Sequence, residues 1–576
     1  MKTLERAFEV MADAPDGIKR LRELILKLAV QGKLVPQDPN DEPASILLGK
    51  IAKEKEKLIK EGKINKGKEL SSVTDDEKPY ELPNGWEWVR LGVISSYVQR
   101  GKGPKYVEKS MYPVISQKCI QWSGFDISKA RFIDPDSLAT YEDIRFLRTG
   151  DLLWNSTGTG TVGRVNYYDA DSERFRKVVA DSHVTVIRCL FVNSRFLATW
   201  ISCPIVQNEI EGMAAGSTNQ IELNTSTVVS HPVPLPPLAE QKRIVEKVDR
   251  LMALCDKLEE ARKKKEERRV EMNASALDRL MNASDSEEFD SACSRVRDNF
   301  HLLYDRPETV KKLRAAILQL AVQGKLVPQD PNDEPASLLL EKIAKEKAKL
   351  IKEGKIRQGK ELPPVTDDEK PYELPQGWEW VRIGSISSYV QRGKGPKYVE
   401  KSIYPVISQK CVQWSGFDIS KARFIDPDSI SSYEDIRFLK PGDLLWNSTG
   451  TGTVGRVNVY DMGDVIFKKI VADSHVTVVR PLFTNSKYVA LWISSPIVQN
   501  EIEGMAAGST NQVELNISTV VFHLLPLPPL AEQKRIVEKV DRLMALCDKL
   551  ETALTTSRDK AASLAASIVD HATAQP

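Results

Sequence analysis

Residues 29 to 40 read AVQGKLVPQDPN, and residues 321 to 332 read AVQGKLVPQDPN again. The offset of 292 residues holds on both sides of this phrase, pairing Phe8 with Phe300, Pro15 with Pro307, Trp154 with Trp446, His183 with His475 and Leu258 with Leu550. A period this long lies far outside the roughly 20 to 50 residues of solenoids and propellers, so the unit is a domain with its own core plus connecting helices. The chain of 576 residues is one unit written twice. Two equal halves suit a ligand with two equal ends.

Lys and Arg (82) nearly balance Asp and Glu (80), for a formal charge of +2 and a pI near 8.0. Any nucleic-acid signal must therefore be local. Seven cysteines, at 119, 189, 203, 255, 293, 411 and 547, have no CxxC spacing. That pattern argues against a disulfide framework or a zinc site and reads as reduced thiols, mostly core. MKTLERAFEV lacks the apolar core of a signal peptide and no run of about 18 apolar residues follows, so the expectation is a cytoplasmic protein with no membrane partner.

Within one copy, Ile18, Leu21, Leu24, Ile25 and Leu28 fall at helical spacing, and Gly32 stands where such a helix ends. The stretch ASILLGKIAKEKEKLIKEGKI, repeated from 336, reads as a solvated surface helix. From 74 to 92 (TDDEKPYELPNGWEWVRLG) Pro79, Pro83 and Gly85 break helix, and Trp86, Trp88 and Val89 begin short aromatic and β-branched runs. YPVISQKC, DLLWNS, RVNYYD and HVTVIR continue them, with a helix near 193 to 211 and an end by about Val233, giving an α+β domain. In PVPLPPLAEQKRIVEKVDRLMALCDKLEE, Pro237 suits a first helical turn. Ile244, Val248, Leu251, Cys255 and Leu258 step by 4, 3, 4 and 3, the seam of a coiled coil, and Ile536, Val540, Leu543, Cys547 and Leu550 offer a matching seam as partner. RKKKEERR at 262 to 269 reads as a solvated helix extension.

The fold class is α+β: two globular β-rich domains joined by long helices in an antiparallel coiled coil, with a pseudo-two-fold internal repeat. The expected boundaries are a helical region over 1–74, a β-rich domain over 75–235, a central helical region and spacer over 236–366, a second β-rich domain over 367–527, and a distal helix and tail over 528–576. A central helix from about 238 to 270 would be about 48 Å long at about 1.5 Å per residue, enough to hold two domains well apart.

Catalytic motifs are missing. GTGTVG at 158 to 163 and 450 to 455 satisfies G-x-G-x-x-G, but RVNYYD follows where a helix should open, so a tight loop is expected and not a nucleotide cradle. No G-x-x-x-x-G-K-S/T, H-E-x-x-H or G-x-S-x-G occurs. His183 and His475 have no nucleophile motif beside them and read as structural, with DNA contact the minority reading. Two rivals from other classes are a self-contained DNA-modifying enzyme with an unrecognised motif and an assembly scaffold that touches no DNA.

ELPNGWEWVRLG opens the first β-rich domain and ELPQGWEWVRIG the second, and PVPLPPLAEQKRIVEKVDRLMALCDKL or its twin closes each, together, in order and twice. These phrases, with LRELILKLAVQGKLVPQDPNDEPAS before them, resemble the specificity subunits of type I restriction-modification enzymes over essentially the whole chain. The resemblance implies a non-catalytic reader of double-stranded DNA. It would have two target recognition domains on conserved spacer helices, docking two methyltransferase (modification) subunits and the restriction (endonuclease/translocase) subunits. S-adenosylmethionine, ATP and magnesium would serve those partners, with no cofactor in this chain. Members of this family commonly carry two dissimilar recognition domains, whereas here residues 95 to 137 differ from 387 to 429 only at Met111/Ile403 and Ile120/Val412. Identical readers read identical half-sites, and antiparallel helices impose a two-fold axis, so the expected target is an interrupted palindrome with one adenine per half.

Arg and Lys suit guanine, Asn and Gln suit adenine, and phosphates take Lys, Arg, Ser, Thr and backbone N–H. VQRGKGPKY places Gln99, Arg100, Lys102, Lys105 and Tyr106 on a loop whose Gly101 and Gly103 allow close approach, twinned by Gln391, Arg392, Lys394, Lys397 and Tyr398. GMAAGSTNQIELN offers Ser217, Thr218, Asn219 and Gln220, twinned by Ser509, Thr510, Asn511 and Gln512. Gln117, Lys118, Asn155 and Arg164, with Gln409, Lys410, Asn447 and Arg456, are further candidates. A solvated basic loop is the alternative for the first segment and a capped turn for the second.

Overall fold

In a computed structural model of the chain, the apolar face that begins at Ile18 belongs to helix α2 (Gly17–Val30), preceded by α1 (Lys2–Met11) and followed by α3 (Ala44–Lys60). The structure describes residues 2–122, 124–158, 160–169, 175, 177–215, 222–450, 452–461, 469–507 and 514–574. Helix α2 stops where Gly32 takes a positive φ of 70° and Lys33 N–H donates back to the Leu28 carbonyl at 2.9 Å. A Cβ at Gly32 would also lie 2.5 Å from the Pro83 ring, so glycine is required there twice over.

The β-rich domain is entered and left at one place. Strand β1 (Glu87–Arg90) pairs antiparallel with the last strand of the domain, Pro232–Leu235, in the register Glu87↔Leu235 and Arg90↔Pro232. Between them run β2 (Ser95–Arg100), β3 (Tyr106–Val107), β4 (Pro113–Ile115), β5 (Ile120–Gln121), β6 (Gly124–Phe125), β7 (Arg131–Ile133), β8 (Leu152–Asn155), β9 (Val165–Tyr167), β10 (Val179–Ala180) and β11 (Val184–Cys189). Helices α4 (Ser194–Ser202), α5 (Pro204–Ala215) and α6 (Thr225–Ser230) follow, then the closing strand β12 (Pro232–Leu235). One sheet has the order β2-β11-β8-β9 and another β10-β4-β7-β3, while β5 and β6 form a separate hairpin.

Period-two alternation assigns these strands to two cores. Leu152, Trp154 and Ile187 point into a core shared with α2 and α4, whereas Leu153, Val184 and Val186 join Ile115 and Ala180 from the second sheet. The central sheet is covered on both faces, so LLWN is buried at every position.

Helix α7 (Leu238–Met281) starts after two prolines and runs for 44 residues, to Met281 and not to about 270, because no glycine or proline interrupts it. At about 1.5 Å per residue it is about 66 Å long. A second long helix covers Leu530–Ala574.

The chain divides into two compact units, Met1–Glu266 with Ser557–Pro576, and Glu267–Thr556. In the first, Ile244, Val248 and Cys255 of α7 are buried with Leu21, Leu24 and Ile25 of α2, and Ala565, Val569 and Ala572 of the final helix belong to the same core. Arg22 ties α2 to α7 through Asp256 and Glu259, both at 2.7 Å. In the second, Ile536, Val540 and Cys547 are buried with Val310 and Ile317, and Arg314 meets Asp548 at 2.6 Å and Glu551 at 3.0 Å. Each seam therefore finds its partner in the opening helix of its own repeat. α2 and its twin present matching apolar stripes to the seam within the same unit.

Candidate nucleic-acid interface

The signature phrases at the two ends of the β-rich domain meet in space. Trp86 Nε1 donates to Glu240 Oε2 at 2.9 Å, and Gln241 Oε1 accepts from the Asn193 backbone N–H at 2.9 Å. Trp378 with Glu532 (2.9 Å) and Asn485 with Gln533 (2.8 Å) repeat both contacts. The indole and the buried carboxyl lock the start of each long helix onto the neck of its β-rich domain. Burial pushes the Glu240 and Glu532 carboxyls up, opposed by the indole hydrogen bond.

The same neck holds a histidine that the sequence reading passed over. His231, just before β12, is buried with its ring 5.4 Å from that of Trp154 and 6.1 Å from that of Trp200, and burial pushes it down to about 4. His523 repeats the arrangement between Trp446 and Trp492 and is likewise pushed down to about 4. The signal was available: each is flanked by apolar residues and obeys the 292-residue offset.

The loop after β2 is a rigid element. Gly101 N–H donates to the Val184 carbonyl at 2.9 Å and Lys102 N–H to the Ala180 carbonyl at 3.2 Å. A Cβ on Gly101 would lie 2.1 Å from the Asp181 carbonyl oxygen and 2.2 Å from that of Ala180, so only glycine permits this approach. Arg100 pairs with Glu222, and its Nε and Nη2 are buried with no hydrogen-bond partner among the described residues. Arg392 pairs with Glu514 and donates to the Leu515 carbonyl at 3.1 Å. Lys105 meets Asp134 at 3.1 Å and Lys397 meets Asp426 at 2.9 Å, pairs that hold those carboxyls below their ordinary range. Tyr106 donates to Asp181 at 3.4 Å beneath the Arg131 guanidinium, and its phenol is pushed up to about 12, first by burial and then by Asp181. Tyr398 behaves alike. Lys102 and Lys394 lie over the rings of Tyr141 and Tyr433 at 5.3 and 5.2 Å. Gln99 is exposed, and Gln391, its exposed twin, accepts from Arg437 at 3.2 Å.

Between antiparallel β8 and β9, Gly158, Gly160 and Gly163 of GTGTVG take positive φ. Beside them stand Gln117, exposed Lys118 and Arg164, whose Nη1 donates to Gln121 Oε1 at 3.2 Å and Nη2 to the Gly160 carbonyl at 2.7 Å. Gln409, Lys410 and Arg456 repeat them, Gln409 accepting from Thr453 at 3.2 Å and Arg456 donating to Gln413 at 3.2 Å. Asn155 and Asn447 are corrections. Both are fully buried, and Asn155 Nδ2 donates to the carbonyls of Gln117 (3.1 Å) and Thr161 (3.2 Å), so these amides hold the loop and do not face a ligand. A strand covered on both faces leaves its last residue no route to solvent. His183 is exposed, with Nδ1 2.6 Å from Thr157 Oγ1 and its backbone N–H donating to Asp181. Ser217, Thr218, Asn219, Gln220, Ser509, Thr510, Asn511 and Gln512 lie outside the described residues.

The surface that results carries Gln99, Lys102, Lys105, Lys118 and His183 outward from fixed backbone, once per unit, with Arg100 held at its edge by an acid. Among the described residues no group of three or more His, Cys, Asp or Glu could hold a metal ion.

The model of the type I restriction modification DNA specificity domain matches residues 83–268 and 375–557. The chain is 33% identical over 577 residues, 96% of its own length and 94% of the other's, to the type I restriction enzyme EcoAI specificity subunit of Escherichia coli. It is 32% identical over 578 residues, with the same coverage, to the EcoEI specificity subunit of Escherichia coli. A solved HsdS subunit from Thermoanaerobacter tengcongensis is 18% identical, with a TM-score of 0.44 over 86% of this chain and 98% of that one.

Proposed function

The chain belongs to the family of type I restriction-modification specificity subunits, and from that premise we propose that it is the DNA-reading subunit for an interrupted palindrome. It carries no chemistry itself. Its role is to hold an adenine methyltransferase, present as two modification subunits, and the restriction subunits on the target in the cytoplasm. S-adenosylmethionine, ATP and magnesium are used by those partners. In keeping with this, no described helix is long and apolar enough to cross a membrane.

One observation carries the palindrome: the two candidate surfaces repeat the same residues and the same principal ion pairs. Arg100 with Glu222, Lys105 with Asp134 and the seating of Gly101 recur as Arg392 with Glu514, Lys397 with Asp426 and Gly393, whose added Cβ would lie 2.2 Å from the carbonyls of Ala472 and Asp473. Equal surfaces bind equal half-sites. The two units are also composed alike: each takes the first part of its own long helix and the last part of the other. Mapping modified adenines across a genome, with and without this chain, should give a motif equal to its own reverse complement across a gap. A motif with unlike halves would overturn this reading.

Within each half-site the Arg100 guanidinium is held by the partly exposed Glu222 carboxylate, and that of Arg392 by Glu514 and the Leu515 carbonyl, so a base edge has an exposed ion pair to displace. Replacing both with alanine should weaken cognate binding by about 1 to 3 kcal/mol per arginine and relax one base position per half-site. Binding to a panel of single-base variants is the measurement. An equal loss on all sequences, with a shallower salt dependence, would make them phosphate contacts.

A further inference from the structure

Of the ten tryptophans in the chain, eight are buried or half-buried, but Trp122 and Trp414 are each 56% exposed. An indole left in water on a soluble protein is an unfavourable use of the largest apolar side chain unless a partner covers it. Each stands just after the first strand of a hairpin, β5–β6 and its twin Val412–Gln413 with Gly416–Phe417. In the second copy the pairing Gln413↔Gly416 leaves Trp414 and Ser415 as the turn, and Gly416 has a φ of 131°.

The hairpin is fixed from beneath. Ile120 is fully buried, and the Phe125 ring meets Tyr168 edge-on at 5.6 Å. Asn166 Nδ2 donates to the Gln121 carbonyl at 3.1 Å while Arg164 holds the Gln121 side chain. Phe417 on Tyr460 at 5.9 Å and Asn458 on the Gln413 carbonyl at 2.6 Å repeat this. The ring cannot easily fold away, so it is presented.

The surroundings identify what it is presented to. A protein-binding patch would place other apolar side chains beside the indole. Here exposed Lys118 leads into the hairpin and half-buried Gln121 lies in it, with Arg164 reaching Gln121 from the segment before β9, and Asp126 is answered by Lys129 at 3.4 Å. A flat aromatic ring on a stiff tip among cations matches the two faces of a nucleic acid, stacked bases within a phosphate cage.

Resting on the DNA-reading function above, we propose that Trp122 and Trp414 are aromatic wedges that stack on bases at a locally opened step of the bound duplex, one in each half-site. The test uses the full-length chain and a duplex carrying the motif found by adenine mapping, with 2-aminopurine placed at successive positions. Wild type should brighten 2-aminopurine at one step per half-site. W122A/W414A should abolish that signal and weaken binding by about tenfold per half-site, whereas W122F/W414F, which keeps a ring, should retain most of both. Wild-type binding with no unstacked step overturns the wedge while leaving the reader intact. So does full DNA affinity in W122A/W414A with lost capture of the modification subunits, which would assign the rings to a protein contact. Absence of any DNA binding by wild type would instead remove the DNA-reading function itself.

Discussion

Replacing Gly101 and Gly393 by alanine is expected to abolish specific DNA binding and lower the melting temperature, although neither change removes a side-chain contact. The new methyl groups would sit about 2.1 to 2.2 Å from backbone carbonyl oxygens. A flexible side chain could swing aside, but a carbonyl in the turn after β10 cannot move without displacing the strand. Overpacking of this kind costs about 1 to 3 kcal/mol, and the hydrogen bonds from Gly101 and Lys102 to β10 and β11 are lost with it. Arg100, Lys102 and Lys105 would then no longer be held on a fixed frame. Gly103 supplies the control, because its added Cβ would lie 3.8 Å from Ser182 Oγ, an ordinary contact. G103A with G395A should bind and melt close to wild type. Equal behaviour of the two pairs would show that the loop needs flexibility and not close approach.

Acid should destabilise the protein through two buried imidazoles. His231 and His523 are pushed down to about 4 by burial, from an ordinary value of 6.5. A depressed histidine means that the unfolded chain binds more protons than the folded one between those two values, so stability is full above 6.5 and falls as pH drops towards 4. The full window corresponds to about 3 kcal/mol per histidine. Raised Glu240 and Glu532 act in the opposite direction. They are present equally in a protein carrying H231F and H523F, which keeps an aromatic ring between the tryptophans without a titrating group. That variant should lose less stability than wild type between pH 7 and pH 5, by about 2 kcal/mol per site. Melting curves at the two pH values decide it, and identical losses would dismiss the histidines as the cause.

The duplication, the helix face from Ile18 and the stop at Gly32 were legible because each is a local pattern with a fixed period or a required φ. The contacts that give those patterns their use were not. Trp86 and Glu240 are far apart in sequence, and nothing in either phrase announces that one donates to the other. Asn155 stood among the candidates by residue type alone, yet the strand that ends in it is covered on both faces. Arg100 and Lys105 read as free cations, whereas folding brings Glu222 and Asp134 to them from distant segments. Trp122 drew no notice because an aromatic residue is core by default, and only its exposure reverses that default.

The tail of the final helix sets the order in which the molecule can be completed. Ala565, Val569 and Ala572 are buried in the core of the first unit, with Ala7, Met11 and Ile18. During synthesis that core is already translated through Glu266 while the 290 residues of the other unit are still being made. At about 5 to 20 residues per second the interval is some tens of seconds. For that time the core of the first unit lacks Ala565, Val569 and Ala572. A chain broken off before Ala565 would thus leave the core around Ala7, Met11 and Ile18 unfinished.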